Sequence, residues 1–168
     1  MHSSVIFMGV SGCGKSSLAA AVAQAEGAPL IEGDDFHSPA NRDKMSRGVA
    51  LTDADRDGWL TALASELRNA PQGGVVLSCS ALKRAYRERL RSAAPGLRFV
   101  FLDIPRDAAL ARVAGRGNHF FSAGLVDSQF ATLESPVGEP GVLRVDAQAP
   151  LAQLQADVSR WLQDDHAA

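Results

Sequence analysis

Short apolar runs recur along the chain at Val5–Met8, Pro29–Ile31, Val75–Cys79, Leu97–Leu102 and Val142–Val145. Glycine, proline or polar turn residues bound each run, and a helical pattern follows each one. Strand–helix alternation with little period-two polarity means strands covered on both faces, which predicts a parallel sheet in a three-layer α/β domain. Strand order does not follow from periodicity. Several helix starts carry their own signals. Ser38-Pro39 predicts an N-cap with proline at the first helical position, and Thr52-Asp53-Ala54-Asp55 has capping-box form. Pro105 and Pro150 are expected to open two further helices. No repeat or linker interrupts the pattern, so residues 1–168 read as one domain. The glycine-bearing stretch Gly115–Gly124 is the candidate mobile segment within it.

Composition narrows the classes. Hydrophobic residues make up 46% and charged residues 21% of 168, as in a chain that buries its own core. The formal charge is −2, from 17 Lys+Arg against 19 Asp+Glu, which leaves no electrostatic footprint for nucleic acid or an anionic membrane. The cysteines Cys13 and Cys79 lack both the density of a disulfide scaffold and the spacing of a zinc site, so a reducing compartment is expected. Met1-His2-Ser3-Ser4 leads into the first apolar run without the features of a signal peptide, and no apolar run is long enough to cross a bilayer. The expected location is the cytoplasm.

The decisive motif follows the first strand. Gly9-Val10-Ser11-Gly12-Cys13-Gly14-Lys15-Ser16 fits G-x-x-x-x-G-K-[ST] throughout and precedes the helical pattern Leu18–Ala25. The glycines let the backbone curl so that successive N–H groups face phosphate oxygens, and the helix N-terminus favours an anion there. Lys15 then reaches the β- and γ-phosphates, while the Ser16 hydroxyl is placed for Mg²⁺. Cys13 reads as a small loop residue.

A phosphate loop alone leaves open a kinase or a nucleotide switch. The strand Val75–Cys79 ends without the usual acidic residue, and no base-reading motif of a G protein follows, which argues against a switch. Asp103 ends another strand but precedes Pro105 and reads equally well as a helix-start residue. Glu32 and Asp34, in Ile31-Glu32-Gly33-Asp34-Asp35, close the second strand where ligands bind in parallel sheets. If that segment stays extended they share a face, with Glu32 holding the metal's hydration shell and Asp34 acting as base on an acceptor hydroxyl. After the third strand, Lys83, Tyr86 and Arg87 fall on one helical face, where Lys83 and Arg87 are candidates to grip a carboxylate. Arg84 and Glu88 make a surface pair on the same helix.

Together these blocks resemble the gluconokinase family of P-loop kinases, which is similar in fold to shikimate and nucleoside-monophosphate kinases. The resemblance rests on Met8–Ser16; on Gly33-Asp34-Asp35-Phe36-His37 with Asn41 and Lys44-Met45; and on Leu51–Arg56 with Trp59-Leu60. It continues through Cys79–Lys83 with Tyr86-Arg87, Gly117–Phe121, Ser128-Gln129-Phe130 and Thr132-Leu133-Glu134, so that it spans almost the whole chain. Departures are small: Ala50 and Gly58 stand where the family often has proline. The resemblance implies a central five-stranded parallel sheet, a mobile lid near Gly115–Gly124, and a homodimer. It implies the reaction of ATP with D-gluconate to give ADP and 6-phospho-D-gluconate, assisted by Mg²⁺. The ATP-binding set is then Gly9, Val10, Ser11, Gly12, Cys13, Gly14, Lys15, Ser16 and Ser17, with Arg112 and Arg116 as lid arginines and Arg116 catalytic beside Lys15 and Asp34. His37 and His119 become candidate substrate contacts. Trp59 and Phe130 fit core packing, and the turn Asp146–Pro150 is a candidate adenine contact through its backbone. A kinase of another acidic or polyol metabolite, or a nucleotide-dependent regulator, remain the alternatives.

Overall fold

The computed structural model describes residues 1–115 and 123–164. Its strands are β1 (Val5–Met8), β2 (Leu30–Glu32), β3 (Val76–Ser78), β4 (Arg98–Asp103) and β5 (Val142–Asp146). Its helices are α1 (Lys15–Glu26), α2 (Pro39–Ser46), α3 (Asp53–Arg68), α4 (Arg84–Ala93), α5 (Arg106–Gly115), α6 (Ala123–Thr132) and α7 (Leu151–Gln163). All five strands run parallel in the order β2-β3-β1-β4-β5. The predicted strands all form, shifted by a residue or so. Pro29 lies just outside β2 because it has no N–H to give, yet its carbonyl accepts from Val76 N at 2.9 Å.

The missing period-two polarity has a direct cause. In β1, Val5 and Phe7 enter one apolar cluster and Ile6 and Met8 the other. In β4, Val100 and Leu102 go one way, Phe99 and Phe101 the opposite way. The first cluster is closed by α1 and α7 through Leu18, Val22, Val158 and Leu162, the second by α3 and α4 through Trp59, Leu63 and Leu90. Each fully buried side chain of this size contributes about 1.5–3 kcal/mol, so both faces are strongly specified.

The capping signals also hold. Ser38 Oγ accepts from Asn41 N at 3.1 Å. Thr52 Oγ1 accepts from Asp55 N at 3.1 Å while Asp55 Oδ2 accepts from Thr52 N at 2.9 Å. Lys44 Nζ donates to the same Asp55 carboxylate at 2.8 Å, tying α2 to α3 and holding the Asp55 carboxyl at about 2. Asp103, the doubtful acid of β4, ion-pairs with Arg144 of β5 at 2.8 Å. Among the described residues no helix is long and apolar enough to cross a membrane. Of the expected lid, Gly115 closes α5 and Ala123-Gly124 open α6, and residues 116–122 lie outside the described residues.

Candidate active site

The chain leaves β1 and curls before entering α1, so the phosphate loop sits at the carboxyl edge of the central strand. Two glycines show why the turn has this composition. Gly12 has φ of 83°, and a Cβ there would meet the Ala109 carbonyl oxygen at 2.9 Å; Gly14 has φ of 91° and caps α1. The N–H groups of the first turn of α1 have no intrahelical acceptors, so an anion at this edge meets oriented donors and the helix field together. Cys13 is buried in the core, as a small loop residue should be. Burial pushes the Cys79 thiol up to about 12, so it carries no thiolate chemistry near neutrality.

Beside the loop, three oxygen side chains converge. Ser16 Oγ donates to Glu32 Oε1 at 3.0 Å, Ser78 Oγ donates to the same oxygen at 2.9 Å, and the two hydroxyls are 3.3 Å apart. The cause is register, since Glu32 and Ser78 are paired residues at the ends of β2 and β3. Hard oxygen donors with a single carboxylate suit Mg²⁺, which keeps much of its water and binds substrate phosphates. Among the described residues no group of three or more His, Cys, Asp or Glu side chains could hold a metal. Ser78 was not singled out in the sequence because a serine ending a strand matches no motif; its place at the carboxyl edge was the available signal.

Beside the loop opens a crevice whose lining includes Ser11, Lys15, Asp34, His37, Arg56 and Ser80. Asp34 does not share an extended face with Glu32, which corrects that expectation. The strand stops at Glu32 and a 3-10 turn spans Gly33–Phe36. The turn forms because the chain passes against β3, where any Cβ on Gly33 would overlap the Ser78 carbonyl. Glu32 therefore serves the hydroxyl cluster and Asp34 the crevice. Trp59 of α3 pins the turn by donating from Nε1 to Gly33 O at 2.8 Å, and Arg42 Nη2 donates to Asp34 O at 3.1 Å. The His37 imidazole stacks on Trp59 with centroids 4.5 Å apart. Burial lowers its pKa despite the nearby Asp34 carboxylate, so the ring facing the crevice is neutral near pH 7.

The second basic cluster is not built as expected. Arg87 is wholly buried: Nε and Nη2 grip Glu139 at 3.0 and 2.6 Å, Nη1 donates to Ala81 O at 2.7 Å, and Nη2 also donates to Glu134 O at 2.8 Å. The carboxylate it binds bidentately is the chain's own, so the structure corrects its assignment to substrate. Its effect is to clamp the turn holding Ser80, where Ala81 is a non-glycine residue at φ 46°. Lys83 precedes α4 as its N-cap and donates to Asp53 Oδ1 at 2.9 Å, outside the crevice lining. The surface pair Arg84–Glu88 is present at 4.0 Å.

Arg56, not Arg87, is the arginine that lines the crevice. It is half-buried in the crevice, where its Nη1 donates to Tyr86 Oη at 3.2 Å. Among the described residues no carboxylate forms an ion pair with it. The signal was in plain sight, since Arg56 lies one turn into the capped helix α3, but a lone arginine there reads as a surface charge. Arg112, expected at the nucleotide, donates to Gly12 O and Cys13 O at 3.2 Å and to Ala147 O at 3.0 Å. It thereby joins the phosphate loop to the β5–α7 turn and, with Cys13, Gly14, Ser17 and Ala149, lines a second cavity suited to a nucleoside. Arg116 and His119 lie outside the described residues.

A family model described as an AAA domain matches residues 5–136. The gluconokinase of Gluconobacter oxydans is 44% identical over 146 residues, which is 86% of this chain and 82% of that one. The thermoresistant gluconokinase of Escherichia coli is 39% identical over 159 residues, covering 92% of this chain and 90% of its own. A crystal structure of a gluconokinase from Sinorhizobium meliloti matches with a TM-score of 0.84 at 44% identity, over 96% of each chain. The chain belongs to the gluconokinase family. Its fold is accordingly that of the P-loop kinases, and the features of this gluconokinase-family site divide cleanly. Lys15, Ser16, Glu32 and Ser78 lie at or beside the phosphate loop, Asp34, His37 and Arg56 line the crevice, and Arg112 lines the second cavity.

Proposed function

We propose that the protein transfers the γ-phosphoryl group of ATP to the terminal hydroxyl of D-gluconate, giving ADP and 6-phospho-D-gluconate. The observation that carries this reading is the crevice in which Lys15 of the phosphate loop, the exposed Asp34 and the half-buried Arg56 meet. Two cations at separate stations suit an acceptor with a carboxylate remote from its reacting end. Lys15 faces the phosphates, Arg56 takes the sugar-acid carboxylate, and the neutral His37 imidazole hydrogen-bonds to hydroxyls along the chain. Asp34 orients the terminal hydroxyl and accepts its proton as the oxygen attacks.

Catalysis on this reading is mainly alignment and charge neutralisation. Ser16, with Glu32 and Ser78 hydrogen-bonded beside it, would hold Mg²⁺, which would supply neutralisation of charge on the phosphates. Arg112 keeps the loop and the nucleoside wall in register. Arg116 and His119 enter as lid contacts on the family resemblance. That resemblance is also what supports a cytoplasmic homodimer, which sedimentation of the purified protein tests.

The experiment is an ADP-release assay with Mg-ATP against D-gluconate, shikimate, other sugar acids, neutral sugars and nucleoside monophosphates. Selective turnover of gluconate is expected. Turnover of another acceptor would keep the phosphoryl transfer and overturn the substrate, whereas folded protein that binds ATP without acceptor-dependent turnover would overturn the kinase reading.

A further inference from the structure

Helix α6 lays one polar side chain directly on the phosphate loop. Gln129 Oε1 accepts from the Ser11 backbone N–H at 2.7 Å and from the Ser11 hydroxyl at 3.1 Å. A backbone N–H can only donate, so the atom facing it must be the amide oxygen, and the orientation of the carboxamide follows from chemistry. The Nε2 amino group is consequently turned away from Ser11. Among the described residues it has no hydrogen-bond partner, and Gln129 lines the crevice together with Lys15, Asp34 and Ser80. Ser11 itself is 4% exposed, so the anchor is a fixed part of the loop.

We propose that Gln129 is a catalytic residue of the phosphoryl transfer, its Nε2 donating a hydrogen bond to a non-bridging oxygen of the group in flight. The proposal rests on the kinase reading above. In that step the acceptor oxygen forms a bond to the γ-phosphorus and the bond from that phosphorus to the β,γ-bridging oxygen breaks. ADP leaves with the electron pair, and the hydroxyl proton passes to Asp34. Negative charge on the equatorial oxygens must be met between Lys15 on the loop side and Asp34 on the acceptor side, the space that Gln129 borders. Because Ser11 already holds the amide oxygen, the donor is oriented before the reaction and needs no reorganisation during it. Being neutral, it strengthens the field there without competing with Lys15 or Mg²⁺ for a carboxylate.

The rival role is a latch that only fastens α6 to the loop, and two substitutions separate the roles. Gln129→Glu retains an oxygen that accepts both Ser11 bonds but has no amino group, and Gln129→Leu removes both functions without adding charge. Expected is a fall in kcat of about 100-fold in each, the scale for losing one positioned donor. The Kd for ADP, which lacks the transferred group, stays within threefold. Gln129→Glu with kcat within threefold of wild type would show that the latch suffices and overturn the proposal. So would an active Gln129→Leu, which would reduce the Glu effect to repulsion, or a loss of ADP binding parallel to that of kcat. Wild-type turnover of gluconate is measured alongside. If the wild type prefers another acceptor, only the substrate reading fails, and the variants are compared on that acceptor.

Discussion

The two halves of the crevice are built in opposite ways. The phosphate loop is one uninterrupted run, Gly9 to Ser17, whose turn depends on glycines such as Gly12 and Gly14. The acceptor side is assembled from side chains on three separate stretches: the 3-10 turn through α2 to α3, the β3–α4 turn, and α6. A site made from backbone geometry needs glycines at fixed spacing and so announces itself. A site made from convergent side chains depends on the supports behind it, here Trp59 and Arg42 under the 3-10 turn and Arg87 under the Ser80 turn.

The largest effects should come from the charges that meet the transferring group. Lys15→Ala is expected to lower kcat by about 10³-fold or more, the scale on which positioned cations act in phosphoryl transfer. Asp34→Asn should lower kcat by about 10²–10⁴-fold, as for loss of a positioned base, while ADP affinity holds. Steady-state kinetics with ADP titration checks both. A fall in ADP affinity as large as the fall in kcat for Asp34→Asn would move Asp34 to the phosphate side and erase the contrast.

The next pair sharpens the contrast between a binding and a supporting arginine. Arg56→Met should raise the KM for gluconate about 10- to 150-fold, the equivalent of one charged hydrogen-bonded contact of about 1.5–3 kcal/mol, with the melting temperature held. Arg87→Met should do the reverse. It leaves Glu139 buried with only Arg91 at 2.9 Å, so the loss falls at the low end for a broken buried pair, about 3 kcal/mol. That amounts to a Tm lower by about 6–12 °C, with the KM for gluconate little changed. A raised KM for Arg87→Met at unchanged Tm would return Arg87 to the substrate.

The sequence disclosed these two arginines unequally for a physical reason. Strands, caps and the phosphate loop are local patterns, and Val5–Met8, Thr52–Asp55 and Gly9–Ser16 were each legible as such. The partner that turns Arg87 from ligand to clamp is Glu139, and no spacing rule on α4 could reveal an acid brought in from the segment between α6 and β5. The separation of Glu32 from Asp34 was hidden similarly, because it turns on the close approach of Gly33 to β3. Ser78 and Arg56 needed the strand ends and helix faces brought together before an ordinary serine and arginine acquired meaning.

The smallest expected effect concerns His37, the residue that joins support to site. Its folded pKa is lowered, mainly by burial, and also by the Arg56 and Arg42 charges, against the opposing pull of Asp34. The unfolded chain therefore binds this proton more readily than the folded one. Stability from the neutral ring is complete above about pH 6.5 and is lost as pH falls from there toward the folded value. Thermal melts at pH 7.5 and 5.5 should show a drop for wild type that is smaller in His37→Gln, since glutamine does not titrate and the carboxylates contribute alike to both. An equal drop would mean that the ring takes its proton without cost, as a solvated histidine does, and that the stack on Trp59 does not hold it neutral in the crevice.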